Sequence, residues 1–320
     1  MTTYGTIPGL AQPVSRIFLG TAAGPLLAGE NADALLDGAV KRGINAFDCA
    51  RSYGRAEEVL GSWMQRRGNR EQVIILSKCG DIREGIVKID KQVIEEQLDT
   101  SLKMLQTDYI DLYLLHRDDP NTSVREYINT LNRAKGDGKI RAFGVSNWTV
   151  ERIREANRYA DENNLEGFSV SSPNYGLARQ MEDLWGGGCV TLSGPEHRAD
   201  RDWYARSGMP VIAYSSLGRG FFSGRFRSDD PEGAYQQLDP YARKGYMHPE
   251  NFVRLRKAEQ LAEKTGTSVP EIAMRYVFSS RMNMFAVVSV SRPERLDSSI
   301  RASGNPLTAD EVRELEEDSL

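Results

Sequence analysis

The chain has 320 residues, of which 40% are hydrophobic and 27% charged, with a formal net charge of −4 and a pI near 5.6. These are the proportions of a soluble globular protein, and the mild acidity gives no electrostatic reason to expect nucleic acid or an anionic membrane. No run approaches the roughly 18 apolar residues of a membrane span, and the opening "MTTYGTIPGLAQPVSR" lacks the basic and apolar regions of a secretory signal.

Short apolar, β-branched runs alternate with amphipathic stretches along the chain. Strands are predicted at 16–21 ("RIFLGT"), 44–48 ("INAFD"), 73–78 ("VIILSK"), 111–116 ("DLYLLH"), 140–146 ("IRAFGVS"), 168–172 ("FSVSS"), 211–215 ("VIAYS") and 285–290 ("FAVVSV"). Between them, 31–43, 90–106, 123–139 and 251–266 carry apolar residues at helical spacing; Val93, Ile94, Leu98, Leu102 and Leu105 trace one such face. Strand, helix, strand in repetition implies a parallel sheet with right-handed crossovers. Eight strands in a chain of this length favour an α/β fold of the closed (β/α)8 TIM barrel type, a single domain over 1–320. The first strand runs into "LGTAAGP" (19–25), which does not match the G-x-G-x-x-G turn of a doubly wound sheet.

Two segments exceed ordinary strand-to-helix connections: 176–209, which contains Gly186-Gly187-Gly188, and 216–250, rich in Gly, Pro and Tyr. Loops of that length are read as lids or binding loops on the C-terminal face, against surface decoration as the plain alternative. Cys49, Cys79 and Cys189 form no C-x-x-C pair, and His116, His197 and His248 lie far apart, so neither a disulfide frame, a zinc site nor another metal is expected. The cysteine usage suggests a reducing, cytoplasmic compartment.

In a parallel barrel every strand's C-terminal end opens on one face, where sites form. Asp48, Lys78 and His116 end three consecutive predicted strands, and Tyr53 follows the first of them by five residues. Singly, each has an ordinary reading: a helix N-cap, a solvated lysine, a core histidine, a rim tyrosine. Together they suit carbonyl reduction. Hydride addition leaves an alkoxide to be protonated, and a phenol with a free pKa near 10 is a poor acid near neutrality unless tuned. Lys78 would lower that pKa, Asp48 would hold Lys78, and His116 would polarise the substrate oxygen.

"INAFDCARSYG", "ILSK", "DLYLLH", "FGVSNW" and "VIAYSSLGRGFFSGR" together resemble the aldo-keto reductase superfamily, in order over almost the whole chain, nearest its aryl-alcohol dehydrogenase and potassium-channel β-subunit branches. The resemblance implies a catalytic tetrad of Asp48, Tyr53, Lys78 and His116, and a nicotinamide cofactor bound without a Rossmann domain. It puts carboxamide contacts on Ser146, Asn147 and Ser172, a ring-stacking aromatic on Tyr214, and further contacts on Ser215, Ser216, Leu217, Gly218, Arg219 and Arg225. Thr21 and Ala22 fall on the nicotinamide ribose side, and Asp48 is also counted among the cofactor contacts. The adenosine end falls on Ser289, Ser291, Arg295, Ser298 and Ser299. Ser291, Arg292 and Arg295 could grip a 2′-phosphate, which favours NADPH over NADH; a capped helix with solvated arginines is the plain alternative.

The sequence departs from the family pattern at three places: Ser172 stands where a Gln is frequent, Ser289 where a Gly is usual, and Ser299 where an Asn is usual. The expected substrate is a small or medium carbonyl compound, aryl or sugar-derived. Many loop aromatics (Trp148, Tyr175, Trp185, Trp203, Phe221, Phe222, Tyr235, Tyr241 and Tyr246) could stack on aryl rings or on sugar faces, with about half of them expected in packing. Asp118 and Asp119 could bind sugar hydroxyls or cap a helix. Competing functional classes are a Schiff-base lyase with Lys78 as nucleophile and a non-catalytic, cofactor-sensing interaction subunit.

Overall fold

The β-branched runs form a closed, eight-stranded parallel barrel in the computed structural model, which describes residues 1–81 and 88–317. Ahead of it, β1 (Tyr4–Gly5) and β2 (Val14–Ser15) make a short antiparallel ribbon. Two-residue strands carry no periodicity, so this pair escapes sequence reading. The barrel strands are β3 (Ile17–Gly20), β4 (Ala46–Asp48), β5 (Ile74–Cys79), β6 (Ile110–Leu115), β7 (Ile140–Ser146), β8 (Ser171–Ser172), β9 (Val211–Ala213) and β10 (Met284–Val288). They follow the order β10-β3-β4-β5-β6-β7-β8-β9.

All eight predicted strands are present, but β3, β4 and β9 are shorter than expected and β8 is the most truncated. Residues Ser169 and Val145 continue ladder bonding beside β8, to Phe143 O and Val170 O. β9 stops at Ala213 because Ser215 has φ of 52°, which no strand accommodates.

The predicted helices lie at Asp33–Lys41, Lys91–Leu105, Val124–Gly136 and Pro249–Thr265. Asp90 and Ser123 start the second and third by accepting the Val93 and Arg125 amides, as N-cap side chains do. Ile94, Leu98, Ser101 and Leu105 form the buried face of Lys91–Leu105, the 3.6-residue stripe expected from the sequence. Fully burying a side chain such as Ile94 or Leu98 contributes about 1.5–3 kcal/mol.

The two long segments are not structureless. The first carries the helix Arg198–Ser207, and the second the helices Pro231–Gln237 and Pro240–Tyr246. Pro at the first helical position and Asp230 or Asp239 at the N-cap start these short helices, signals that the Gly- and Tyr-rich composition masked.

Packing groups the residues into two compact units, each discontinuous in sequence. One comprises Tyr4–Ser172 with Ser289–Glu294; the other comprises Met1–Thr3, Pro173–Val288 and the chain from Arg295 on. Among the described residues no helix is long and apolar enough to cross a membrane.

Candidate active site

Within the unit Tyr4–Ser172, β4, β5 and β6 are adjacent and in parallel register, with Asp48 opposite Leu76 and Lys78 opposite Leu114. Their C-terminal ends deliver Asp48, Lys78 and, one residue past β6, His116 to one place. Pairing does not stop at Asp48: Cys49 N donates to Leu76 O at 2.8 Å and Arg51 N to Lys78 O at 2.9 Å. The loop that follows is therefore still registered on β5 when it turns toward Tyr53. Gly54 closes that turn with φ of 52°, and a Cβ there would meet Leu27 O at 2.5 Å, so no other residue fits without displacing backbone.

The four expected side chains converge. Lys78 Nζ donates to Asp48 Oδ1 at 2.6 Å, to Cys49 O at 2.8 Å and to Tyr53 Oη at 3.3 Å. Lys78 and Asp48 are 3% and 4% exposed, so the ion pair is desolvated and each charge depends on the other. The ammonium also lies 4.7 Å from the Tyr53 ring centroid. Tyr53 and His116 meet edge to face, centroids 5.7 Å apart.

Burial alone would lower the Lys78 pKa, but the Asp48 charge and the hydrogen bonds to Asp48 and Tyr53 outweigh it, so the ammonium is held above its ordinary range. Burial pushes the Asp48 carboxyl up, and Lys78 pulls against that shift. Tyr53 departs from the sequence expectation. Burial raises its phenol to about 12; Lys78 opposes the rise and Asp48 adds to it. Lys78 does favour phenolate, but the dry surroundings and the Asp48 charge win. His116 is lowered to about 3, by burial first and then by Lys78, against a weaker pull from Asp81. Its Nδ1 is 3.8 Å from Asp81 Oδ2. At neutral pH the imidazole is thus a neutral polar group rather than a cation.

Ser146, Asn147 and Ser172, expected from the sequence near a carboxamide, lie in the same unit and bond to one another and to His116. Ser146 Oγ donates to Ser172 O at 2.8 Å, and Asn147 Nδ2 donates to His116 O at 3.3 Å and Ser146 Oγ at 3.2 Å. Asn147 is left-handed, φ 60°. Thr21 Oγ1 donates to Asp48 O at 2.9 Å, Ser289 Oγ donates to Gly20 O at 3.2 Å, and Ala22, Ser291 and Arg292 are exposed. A donating hydroxyl keeps a lone pair for a ligand.

In the other unit, Tyr214 follows β9, and Ser215, Ser216 and Leu217 lead into the one-turn 3-10 helix Gly218–Gly220. Ser215 and Arg219 are non-glycine residues with φ of 52° and 51°, and Gly218 and Gly220 are left-handed too. Arg219 is engaged: its guanidinium pairs with Asp239 at 3.0 Å and lies 5.6 Å from both the Trp185 and Tyr241 rings. Trp185 in turn packs 5.8 Å from Tyr214. Arg225 is exposed and donates to Ser223 Oγ at 3.0 Å. Arg295 is exposed, Ser298 Oγ donates to Arg295 O at 3.4 Å, and Ser299 is buried.

Two further sequence expectations are resolved. Asp118 pairs with Arg152 at 3.1 Å, and Asp119 accepts the Asn121 and Ile89 amides at 3.0 and 3.2 Å, so both serve local structure. Of the loop aromatics, Trp148, Tyr175, Phe221, Phe222 and Tyr246 are core, whereas Trp185, Trp203, Tyr235 and Tyr241 keep surface. Sequence reading missed Glu57, a buried carboxylate beside this site. A signal was present: Glu57 shares a helical face with the apolar Leu60, Gly61 and Met64.

The sequence pattern of the Aldo/keto reductase family matches residues 16–319. Norsolorinic acid reductase of Aspergillus flavus is 29% identical over 299 residues, covering 88% of this chain and 70% of the relative. An aryl-alcohol dehydrogenase of Pestalotiopsis microspora is 27% identical over 297 residues, covering 90% and 72%. Aldo-keto reductase YhdN of Bacillus subtilis is 27% identical over 330 residues, covering 98% and 92%. With a family match over nearly its whole length, the chain belongs to the aldo/keto reductase family, oxidoreductases that act on carbonyl compounds with nicotinamide cofactors.

Proposed function

We propose that this protein reduces an aldehyde or ketone to an alcohol with NADPH, with Tyr53 as proton donor and residues 1–320 acting as one catalytic domain. The single observation that carries the reading is the cluster of buried Lys78, Asp48 and His116 with half-buried Tyr53, in which one ammonium bonds both the carboxylate and the phenol.

When bound, the nicotinamide supplies the hydride. Neutral His116 donates a hydrogen bond to the substrate oxygen and polarises it. Tyr53 transfers its proton to that oxygen as alkoxide character develops. An alkoxide is a far stronger base than a phenolate, so even a phenol raised to about 12 gives up its proton downhill. Lys78 then compensates the phenolate, and Asp48 keeps Lys78 charged and in place. A raised, ion-paired Lys78 has little free amine, which argues against a Schiff-base mechanism.

Cofactor binding is supported by backbone geometry. Non-glycine left-handed residues cost of order 1–3 kcal/mol each and collect at functional sites. Asn147, Ser215 and Arg219 are three such residues, all at positions assigned to the cofactor. Ser146, Asn147 and Ser172 are assigned to the carboxamide, Tyr214 to the ring, and Ser216, Leu217, Gly218, Arg219 and Arg225 to the phosphates, with Thr21 and Ala22 on the ribose. Ser289, Ser298 and Ser299 are assigned to adenosine, and Ser291 and Arg295 to a 2′-phosphate, because exposed guanidinium groups suit that anion. An aryl carbonyl is favoured over a sugar, since Asp118 and Asp119 are committed to Arg152 and backbone amides and one relative is named an aryl-alcohol dehydrogenase. The three cysteines are free thiols, in keeping with a cytoplasmic setting.

The test is NADPH oxidation followed at the nicotinamide absorbance with aryl, aliphatic and sugar aldehydes. Turnover with aryl aldehydes, lost in Tyr53→Phe, is expected. Tight NADPH binding without turnover on any carbonyl would instead favour a cofactor sensor.

A further inference from the structure

Glu57 lies in the first turn of the helix Ala56–Arg67 and is 1% exposed. Nothing in the proposed chemistry uses it. Yet a carboxylate this deeply buried needs compensation from every side. One oxygen, Oε1, accepts from Ser77 Oγ at 2.7 Å, and the other, Oε2, accepts from Arg51 Nη1 at 2.5 Å. The helix N-terminus adds a favourable field.

The two donors are not arbitrary. Ser77 precedes Lys78 on β5, and because side chains alternate along a strand, Ser77 faces outward where Lys78 faces the site. Arg51 lies in the loop between Asp48 and Tyr53, and its own amide donates to Lys78 O. Glu57 therefore joins the outer face of the Lys78 strand to the loop that carries Tyr53. That loop is also fastened by Lys78 Nζ, which bonds Cys49 O and Tyr53 Oη, and by backbone bonds from Arg51 N to Lys78 O, Tyr53 N to Ala50 O, Arg55 N to Leu27 O and Ala56 N to Tyr53 O. Glu57 adds a link from the outer face of β5, its two oxygens accepting from one side chain of the strand and one of the loop.

We propose that Glu57 is a positioning residue for the proton donor: through Arg51 and Ser77 it holds the Tyr53 loop at the distance from β5 that keeps the phenol within hydrogen-bond reach of Lys78. The inference rests on the assignment of Tyr53 as proton donor. It concerns no direct contact of Glu57 with substrate or cofactor.

The test compares wild type, Glu57→Gln and Ser77→Ala. Glu57→Gln keeps the side-chain shape but removes the charge, so the bond from Arg51 is no longer an ion pair. A misplacement of the donor of order an ångström costs about 10²-fold in rate, so a fall in kcat of at least about 10-fold is expected for Glu57→Gln, with NADPH Kd within about two-fold of wild type. Ser77→Ala removes one arm and should give a smaller fall of the same kind; it also carries the test if Glu57→Gln fails to fold. A second readout needs no turnover. In protein labelled with ¹³C at tyrosine Cζ, the Tyr53 resonance is identified by its loss in Tyr53→Phe. It should shift or broaden in both variants while circular dichroism and Tm stay near wild type. An unchanged Tyr53 resonance and an unchanged kcat in both variants would overturn the proposal. A wild type that turns over no carbonyl, but whose Tyr53 resonance still responds to Glu57→Gln, would defeat the reductase reading and leave the brace standing.

Discussion

The rings of Tyr53 and His116 meet edge to face, with centroids 5.7 Å apart and planes at 76°. One ring ends in the hydroxyl of the cluster, and the other carries nitrogens that stay uncharged because the imidazole is lowered to about 3. In the proposed reaction a neutral imidazole donates a hydrogen bond without competing for the proton assigned to the phenol. On that reading the pairing separates the two tasks of polarising and protonating an oxygen.

The first prediction concerns that division. Tyr53→Phe removes the proton and leaves the ring packing, so kcat for aldehyde reduction should fall by about 10²–10⁴-fold. NADPH Kd, measured by quenching of protein fluorescence, should stay near wild type. A variant that keeps most of its turnover would remove Tyr53 as the acid.

The Asp48–Lys78 pair gives a stability prediction. Lys78→Met leaves a 4% exposed carboxylate without its cation, and breaking a buried pair from one side costs about 3–5 kcal/mol. Chemical denaturation should show this loss, and Asp48→Asn in the same chain should restore part of it because the stranded charge is gone. A double variant no more stable than Lys78→Met would show that the two groups are not coupled.

His116 sets a pH dependence. Its pKa is ordinarily 6.5 and is lowered to about 3 in the fold. Between those values the unfolded chain binds a proton that the folded chain refuses, so stability falls as pH falls through that window, by up to about 1.4 kcal/mol per pH unit. Above pH 6.5 both states are neutral and the contribution is flat. Denaturation midpoints from pH 4 to 7 should therefore slope less in His116→Gln than in wild type. Parallel profiles would show that His116 is not buried as a neutral group.

Cofactor choice is read at Arg295. Arg295→Ala should weaken NADPH far more than NADH, by about 10-fold or more for a lost charge-assisted contact. Equal losses for the two cofactors would exclude Arg295 from recognition of the 2′-phosphate.

Much of this molecule was legible in its residues. Aliphatic runs with β-branched residues alternate with stretches at 3.6-residue spacing, and that alternation has few solutions other than a parallel barrel. Once the strands are placed, Asp48, Lys78 and His116 must end neighbouring strands and share a rim, since parallel strands bring like ends together. The commitment of Asp118 to Arg152 and the Arg219–Asp239 pair with its flanking Trp185 and Tyr241 were not legible, because each depends on partners far apart in sequence; the helices inside 216–250 carry local cap signals that a Gly- and Tyr-rich composition masked.

The residues alone thus determined the barrel and the membership of its rim, through local periodicity and strand direction. Only the tertiary structure decided the protonation balance there, including the rise of Tyr53 against the pull of Lys78, and the bracing of its loop by Glu57. The reason is physical. Periodicity is a property of neighbours along the chain, whereas desolvation and charge coupling depend on how closely folding brings distant groups together and how completely it excludes water from between them.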